Sequence, residues 1–267
     1  MGFWGSSFTF DDIPCTAFEL MLYDVGSDSQ EATQFANPVT IVEEFLSTRW
    51  RPLFIGTKID RKLEFQLVFG VNEERLDSGA FLDREELAKV ANWLTLHDNY
   101  KWLEIHQDDM IDARYRCIVT GLECVEYGSV PWALRATITC DGPFAYRYPE
   151  SSMCSISGTS TVVIENNSCL AGYYKPKIVY FPNSGGSLKI VNVNDKRRAF
   201  ELKDMPGSVS RVDIDNENCL ITNDADLNLY KGFNFNFLRL VPGANTLEIT
   251  GDGEIEFICE YPANVGG

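Results

Sequence analysis

Two histidines are the side chains of this protein best suited to metal binding or acid–base chemistry. His97 and His106 lie nine residues apart, with four aspartates near them. Imidazole and carboxylate groups bind divalent metals, but this spacing matches no zinc motif. Carboxylates beside a histidine in a polar loop are usually solvated. We therefore predict no metal site among these histidines and the aspartates near them, which are Asp98, Asp108, Asp109 and Asp112.

The other common catalytic arrangements are missing or incomplete. A serine or cysteine nucleophile needs a base within hydrogen-bond reach, and the chain offers two histidines and no G-x-S-x-G elbow. It has no G-x-x-x-x-G-K-[ST] or G-x-G-x-x-G loop to hold phosphates. Adjacent carboxylates such as Glu43 and Glu44 usually point apart, although two distant carboxyls that converge would suit a glycosidase, an alternative that sequence leaves open. We predict that the protein is not an enzyme and uses no cofactor.

Cysteines occur singly along the chain, with no C-x-x-C pair. Disulfide-stapled secreted modules are usually shorter and denser in cysteine. The start MGFWGSSFTFDDIPC has acids where a signal peptide has a cationic end, and no stretch reaches the roughly 20 apolar residues of a spanning helix. We predict a soluble protein, intracellular when made, with reduced and mostly packed thiols. The cysteines are Cys15, Cys117, Cys124, Cys140, Cys154, Cys169, Cys219 and Cys259.

Acidic residues are concentrated in the first half of the chain. Up to Glu150 there are 13 basic and 25 acidic residues, a net charge of −12, and beyond it there are 10 and 14, a net charge of −4. This balance repels nucleic acid and anionic membranes, and it argues against a groove that follows a phosphate backbone. The same net charge is also explained if the acidic residues only keep the protein soluble.

The first half combines strand patterns with one strong helix pattern. In KIDRKLEFQLVFG every second residue from Leu63 to Phe69 is apolar, which predicts a strand with one apolar face. In FLDREELAKVANWLTL, Asp83 and Glu86 have capping-box spacing. YKWLEIH, ARYRCIVTGLECVEYG and WALRATITC indicate further strands, and NPVTIVEEFLSTRW indicates a weak helix or an irregular stretch. We predict an α+β first half. The apolar residues of its helix lie on one face, and they are Leu87, Val90, Ala91 and Leu94.

The second half repeats short strand patterns. FAYRYPESSMCSISGTSTVVIENN combines a proline with a Ser/Gly/Thr-rich run, so we expect the linker or domain crossing there, near Tyr148 to Ser152. The predicted domains are therefore 1–149 and 150–267. STVVIEN, KPKIVYF, NFLRLV and other apolar runs follow without a convincing helix pattern, which is typical of an antiparallel sandwich or jelly roll. Gly-Asp-Gly predicts a reversal between NTLEITG and EIEFICEY.

Five segments, in this order, make the chain resemble a known family. They are SFTFDDIPCTAFELMLYDV, KIDRKLEFQLVFG, DREELAKVANWL, YKWLEI and FNFLRLVPGANTLEITGDGEIEF, and they span most of the length. Their succession resembles the distal tail proteins of long-tailed, non-contractile bacteriophages and related prophage elements. The resemblance implies a mainly β protein: a ring-forming α+β domain, built as a β-sandwich with one helix and an extended hairpin, followed by a galectin-like or jelly-roll β-sandwich.

The resemblance also implies a structural role at the tip of the virion tail, after assembly in the host cytoplasm. In that family six copies form a ring that joins the tail tube protein to tail-tip, hub or baseplate proteins, receptor-binding proteins among them. The ring leaves a channel through which DNA passes. Ring contacts use strand edges and apolar surface, so we predict contributions from the segment Phe3 to Phe18 and the strand Leu63 to Phe69. The predicted interface residues are Phe8, Phe10, Phe18, Leu63, Phe65 and Leu67.

A sugar-binding adhesion protein is the alternative function. Jelly rolls often bind sugars by stacking them on exposed aromatic rings, and the second half has Phe233, Phe235 and Phe237 at a spacing of two. That spacing predicts instead a strand that faces the core. A glycan array separates the two functions, because a ring connector binds sugar only weakly or not at all.

Overall fold

A computed structural model describes residues 5–23, 39–59, 62–79, 81–107, 113–127 and 130–264 of the chain. The chain divides into two units, Met1–Tyr146 with Ala263–Gly267, and Arg147–Pro262. The boundary expected from sequence, after Pro149, lies close to this division. Each unit has its own cluster of buried apolar side chains.

The first unit is built around one antiparallel sheet. Its elements are β1 (Gly5–Phe10), β2 (Ile13–Pro14), β3 (Leu20–Leu22), β4 (Val39–Glu44), β5 (Leu53–Ile59), β6 (Glu64–Val71), α1 (Glu73–Asp77), α2 (Arg84–Thr95), β7 (Lys101–Gln107), β8 (Ala113–Tyr127), β9 (Val130–Cys140) and β10 (Ala145–Arg147). The sheet order is β2-β1-β7-β8-β9-β6-β3, and β10 pairs with β8. Strands β4 and β5 form a separate two-stranded sheet.

Alternation in β6 produces the buried face that the sequence predicted. Phe65, Leu67 and Phe69 are at most 7% exposed, whereas Glu64 and Gln66 face solvent. Successive side chains of a strand point to opposite faces, so the apolar set lies on the core side. The strand lies inside the sheet, with β9 on one side and β3 on the other.

Helix α2 begins at the predicted capping box. Asp83 accepts a hydrogen bond from the backbone N–H of Glu86 at 2.8 Å, and the Glu86 side chain accepts one from the Asp83 N–H at 3.0 Å. Both bonds satisfy backbone donors that have no partner within the first turn of the helix. The predicted start of the helix is confirmed.

The buried face of α2 joins the helix to the sheet. Val90 and Leu94 are buried as predicted, and Trp93 is buried with them. The Trp93 indole Nε1–H donates to the Phe10 carbonyl at 3.1 Å, and its ring stacks on Phe8 with centroids 5.7 Å apart. Trp93 was not among the residues that the sequence predicted for this face.

The segment NPVTIVEEFLSTRW is a strand followed by a turn, and its interpretation as weakly helical or irregular was wrong. Residues Val39–Glu44 form β4, which pairs antiparallel with β5. Branching at Cβ restricts χ1 and favours extended backbone, and Val-Thr-Ile-Val contains four such residues in succession. The first two residues of the segment, Asn37 and Pro38, lie outside the described residues.

The second unit is built around a seven-stranded antiparallel sheet. Its strands are β11 (Glu150–Asn166), β12 (Lys177–Pro182), β13 (Gly186–Asn192), β14 (Arg198–Met205), β15 (Val212–Asp215), β16 (Leu220–Asn223) and β17 (Gly243–Cys259). The last strand of the chain, β18 (Pro262–Ala263), pairs with β10. The order of the seven-stranded sheet is β14-β13-β17-β12-β15-β16, and β11 pairs with β17. The predicted class, mainly β with an α+β first domain, is confirmed. No helix in the described parts of the chain is both long and apolar enough to cross a membrane.

Strand β17 continues through Gly-Asp-Gly, so the predicted reversal was wrong. Its first part pairs with β13 and its last part, from Gly253, pairs with β12, while β11 pairs with its whole length. Gly253 has φ 148°, and a Cβ there would lie 2.1 Å from the Phe181 carbonyl oxygen. Glycine at this position therefore allows β17 and β12 to approach closely, at the point where β17 changes neighbouring strands.

Strand β11 occupies the Ser/Gly/Thr-rich part of the segment in which the linker or domain crossing was expected. Each of its residues from Glu150 to Asn166 has a partner in β17. Its serines and threonines fit a solvent-facing strand, and the hydroxyls of Thr159 and Thr250 lie 3.2 Å apart across the pair. The Ser/Gly/Thr-rich part of this segment therefore forms a polar strand face, and the division between the two units lies just before it, between Tyr146 and Arg147.

The segment around Phe235 is not the core-facing strand that spacing predicted. Isolated bridges join Phe233 to Leu202 and Leu240 to Tyr174. Phe235 has φ 58°, in the left-handed region that regular strands do not use. Phe233 is buried, whereas Phe235 is 66% exposed.

Candidate assembly surface

The two histidines have separate protein partners. His97 Nε2 lies 2.6 Å from the Trp93 carbonyl oxygen, and His106 Nε2 lies 2.8 Å from Thr9 Oγ1. Within the parts of the chain that the structure describes, no three His, Cys, Asp or Glu side chains are close enough to hold a metal ion. Three of the aspartates considered as ligands lie outside the described residues: Asp108, Asp109 and Asp112.

All eight cysteines are free thiols. Cys117 and Cys140 lie opposite each other on β8 and β9 and are fully buried. Burial raises the pKa of the Cys117 thiol and raises the pKa of Cys140 to about 12, so neither forms the nucleophilic thiolate at neutral pH. Of the others, Cys15 and Cys259 are buried, Cys154 is half-buried, and Cys124, Cys169 and Cys219 are exposed.

The residues predicted for the ring interface lie in the first unit's own core. Phe8, Phe10, Leu63, Phe65 and Leu67 are at most 7% exposed, and Phe18 packs half-buried against them. Side chains so placed have little surface left for a neighbouring subunit. The alternation of these apolar residues along the sequence marks the face of the sheet that packs into the core.

Most of the large exposed apolar side chains among the first unit's described residues lie on β4, on β5 and on the connecting residues 45–52, termed here together the exposed hairpin. No residue of either strand is buried. Phe45 is 75% exposed and Trp50 is 83% exposed. The exposed apolar side chains of the hairpin are Val39, Ile41, Phe45, Leu46, Trp50, Leu53, Phe54 and Ile55.

The exposed hairpin is suited to binding another protein surface. An isolated two-stranded sheet is marginally stable in water, and contiguous apolar patches mark interaction sites. Burying one side chain such as Ile41 or Phe54 against a partner contributes roughly 1.5–3 kcal/mol. The Arg51 guanidinium lies 4.0 Å from the Trp50 ring, so one face of that indole is already covered by a cation.

Sequence reasoning missed the exposed hairpin as a site. Apolar runs such as VTIV and LFI are equally typical of strands buried in a core. The distinguishing fact is that the two strands pair only with each other among the described residues, and this depends on the fold of the whole unit.

Comparison with known sequences identifies both parts of the chain with phage tail proteins. Residues 3–142 match a family described as phage tail protein N-terminal domain, and residues 144–259 match one described as phage tail C-terminal domain. No curated protein sequence matches the chain.

Solved structures share the fold over nearly the whole chain. The Dit protein (gp 19.1) of phage SPP1, described as a paradigm of the hub adsorption apparatus in phages that infect Gram-positive hosts, is 10% identical, with a TM-score of 0.64 over 96% of this chain and 98% of that one. A chain of the phage P2 baseplate, in its activated conformation with Ca, is 12% identical, with a TM-score of 0.55 over 97% and 98%. At these identities the likeness is one of fold.

Proposed function

Since the chain belongs to a family of phage tail proteins, as the order of its motifs indicated, we propose that it is a distal tail protein whose six copies form a ring. The ring joins the tail tube protein to the tail-tip or baseplate proteins and leaves a channel for DNA. Residues 1–149 form the ring, and residues 150–267 form a galectin-like sandwich. The role is structural and uses no cofactor or bond-making step.

The exposed hairpin is the observation that supports a ring most directly. A ring repeats one head-to-tail contact until it closes, so each subunit needs one surface that reaches its neighbour. The hairpin supplies apolar side chains such as Phe54 together with strand edges that have no partner strand among the described residues. We therefore propose that the ring interface lies on the hairpin. It replaces the six residues that the sequence suggested, which are Phe8, Phe10, Phe18, Leu63, Phe65 and Leu67.

Replacing apolar side chains of the hairpin tests this assignment. The double variant Ile41→Thr, Phe54→Thr keeps residues that favour strands but removes apolar surface. In light scattering behind size exclusion, the wild type should reach the mass of a hexamer, six times 30.1 kDa or roughly 180 kDa, and the variant should have the mass of one chain.

Leu220→Thr is the matched control, because Leu220 is a 50% exposed apolar residue on β16 of the second unit. It should leave the hexamer intact. If the double variant still has the mass of a hexamer, the interface does not lie on the hairpin. A wild type that is monomeric at every concentration contradicts self-assembly.

A further inference from the structure

Three strands lie at the margins of the second unit's sheet, namely β14, β16 and β11, and the first two are protected. The outer side of β14 is covered, because Leu202 bridges to Phe233. The backbone of Glu201 also exchanges hydrogen bonds with Asn234 there, at 3.0 and 3.2 Å. Strand β16 has only four residues. Covering and shortness are two of the ways in which proteins keep a sheet edge from pairing with another chain.

Strand β11 is long and has no such protection. It has 17 residues and pairs only with β17 among the described residues. Its charged residues are Glu150 and Glu165, which lie near its two ends, and it contains no proline. Charges within an edge strand and prolines are the other usual protections, and the stretch from Ser151 to Ile164 has neither.

The hydrogen bonds of β17 determine which backbone groups of β11 face outwards. The Thr246 carbonyl accepts from the N–H of Val193, directly after β13. The Asp252 carbonyl accepts from the N–H of Asn183, directly after β12. Even-numbered residues of β17 therefore direct their backbone groups away from β11, and odd-numbered ones direct them toward it. Odd residues of β17 lie opposite even residues of β11, so the odd residues of β11 direct their N–H and C=O groups outwards. These residues are Ser151, Met153, Ser155, Ser157, Thr159, Thr161, Val163 and Glu165.

These outward groups are open to a further strand. The Tyr261 hydroxyl donates to the Glu165 carbonyl at 2.6 Å, and the remaining outward groups have no hydrogen-bond partner among the described residues. The side chains of the same residues are exposed, and two of them are large and apolar, with Met153 60% and Val163 63% exposed. An extended peptide binds such an edge through main-chain hydrogen bonds.

The inner face of β11 favours apolar residues in an added strand. Ile156 and Ile164 are buried, and Cys154 and Val162 lie half-buried against the core of the second unit. Directly opposite side chains on neighbouring strands have their Cβ atoms about 5 Å apart. Apolar residues of an added strand would therefore cover Cys154 and Val162 and remove the rest of their surface from water.

The outer face favours basic residues in the same strand. Neither β11 nor β17 contains a lysine or arginine, and Asp252, Glu254 and Glu256 form an acidic row on the solvent face of β17. Ser157 and Ser155, which lie opposite Asp252 and Glu254, are too small to cover these carboxylates. An added strand would lie two strand spacings from the row, roughly 10 Å, which is about one Debye length at 0.1 M salt. Basic residues there are attracted, whereas a second copy of this chain, with a net charge of −16, is repelled.

We propose that the outer edge of β11 binds an extended segment of another protein in which apolar and basic residues alternate. The segment adds a strand to the sheet, its apolar residues cover Cys154 and Val162, and its basic residues face the acidic row of β17. All residues of this edge belong to the second unit, so the proposal does not depend on the exposed hairpin or on ring formation.

Fluorescence anisotropy of a labelled peptide with the full-length protein tests this edge. The probe has about ten residues, the upper end of ordinary strand length, with valine and lysine alternating. Wild type should bind one peptide per chain. Ser157→Pro should weaken binding at least about tenfold, because it removes an outward N–H and blocks the edge while the ladder to β17 keeps its bonds. Ser157→Ala keeps the N–H and should bind within about twofold of wild type.

Thr161→Pro repeats the test in case Ser157→Pro does not fold. A peptide of the same composition with its lysines in one block controls for charge and should bind at least about tenfold more weakly than the alternating one. The hairpin variant Ile41→Thr, Phe54→Thr should bind the alternating peptide as wild type does, which separates this edge from the ring. No saturable binding overturns the proposal, as does equal binding by the two peptides or by wild type and the proline variants. Association of the protein beyond the hexamer that Ser157→Pro abolishes also overturns it, because the edge would then bind a second copy of the chain.

Discussion

At the scale of single residues, Glu86 shows how one side chain joins two helices. Its carboxylate accepts from both terminal nitrogens of Arg75, at 2.9 and 3.1 Å, and from the Asp83 backbone N–H at 3.0 Å. The hydrogen bonds from Arg75 lower the pKa of Glu86 below its ordinary value. The ionised form of Glu86 is therefore the form that stabilises the fold.

This pKa shift predicts how the stability of the first unit depends on pH. A carboxyl whose folded pKa is lowered contributes stability above its unfolded pKa, and the contribution is lost as pH falls through the folded pKa. We expect the free energy of unfolding in urea to fall more for wild type than for Glu86→Gln when the pH is lowered from neutral to below 4.5, the ordinary pKa of a glutamate. The glutamine keeps an acceptor for the Asp83 N–H but cannot titrate.

Arg75→Gln removes the cause of the shift and should flatten the profile in the same way. If both variants follow the pH dependence of wild type, the Arg75–Glu86 pair contributes nothing to it. The comparison uses differences from wild type, so that other carboxyls with shifted pKa values, such as Asp215, cancel.

Interactions at this scale were predictable from sequence only where they are local. The capping box could be predicted because Asp83 and Glu86 are three residues apart in one turn of helix. The pairing of Arg75 with Glu86 spans two helices and leaves no spacing signal in the sequence.

At the scale of elements, β17 contains a sequence signal for a turn, but pairing with a neighbouring strand keeps it extended. Gly-Asp-Gly suits a tight reversal, but β11 pairs with β17 without interruption through Gly251 and Gly253. The glycines relieve the crowding where β17 passes from β13 to β12. Alternation was the reliable signal, as in β6 and on both sides of these glycines, because it reports which face is buried.

Replacing Gly253 by alanine measures that crowding. The new Cβ would meet the Phe181 carbonyl oxygen at 2.1 Å in a backbone conformation with φ 148°, so we expect a loss of at least about 3 kcal/mol in the free energy of unfolding. Chemical denaturation of the purified variant measures this loss.

Gly158→Ala is the matched control on the partner strand β11. Gly158 also has a positive φ, 82°, but a Cβ there meets no atom within 4 Å, so the backbone cost alone, about 1–2 kcal/mol, applies. Equal losses for the two variants would show that close approach to β12 is not what requires glycine at Gly253.

Elements were less predictable where a strand is not buried. The sequence VTIVEE lacks the clean alternation that marks a half-buried strand, because no residue of β4 is buried. Its two faces both carry apolar side chains, such as Ile41 and Val42, and periodicity does not distinguish an exposed hairpin from a short helix here.

At the scale of the whole molecule, the acidity of the chain would suit the DNA channel of the proposed ring. The first half has a net charge of −12, and we propose that part of it lines the channel of the ring, so that DNA is repelled from the wall. The protein should then fail to retain double-stranded DNA in filter binding at low salt. Binding in the micromolar range or tighter would contradict a repulsive wall.

The central claim is that copies of this chain close into a ring around a pore, and electron microscopy of the purified protein in negative stain tests it most directly. We expect annular particles with six subunits and a central hole at concentrations where light scattering gives the hexamer mass. Particles of single-chain size at every concentration, or open filaments without closure, would contradict it.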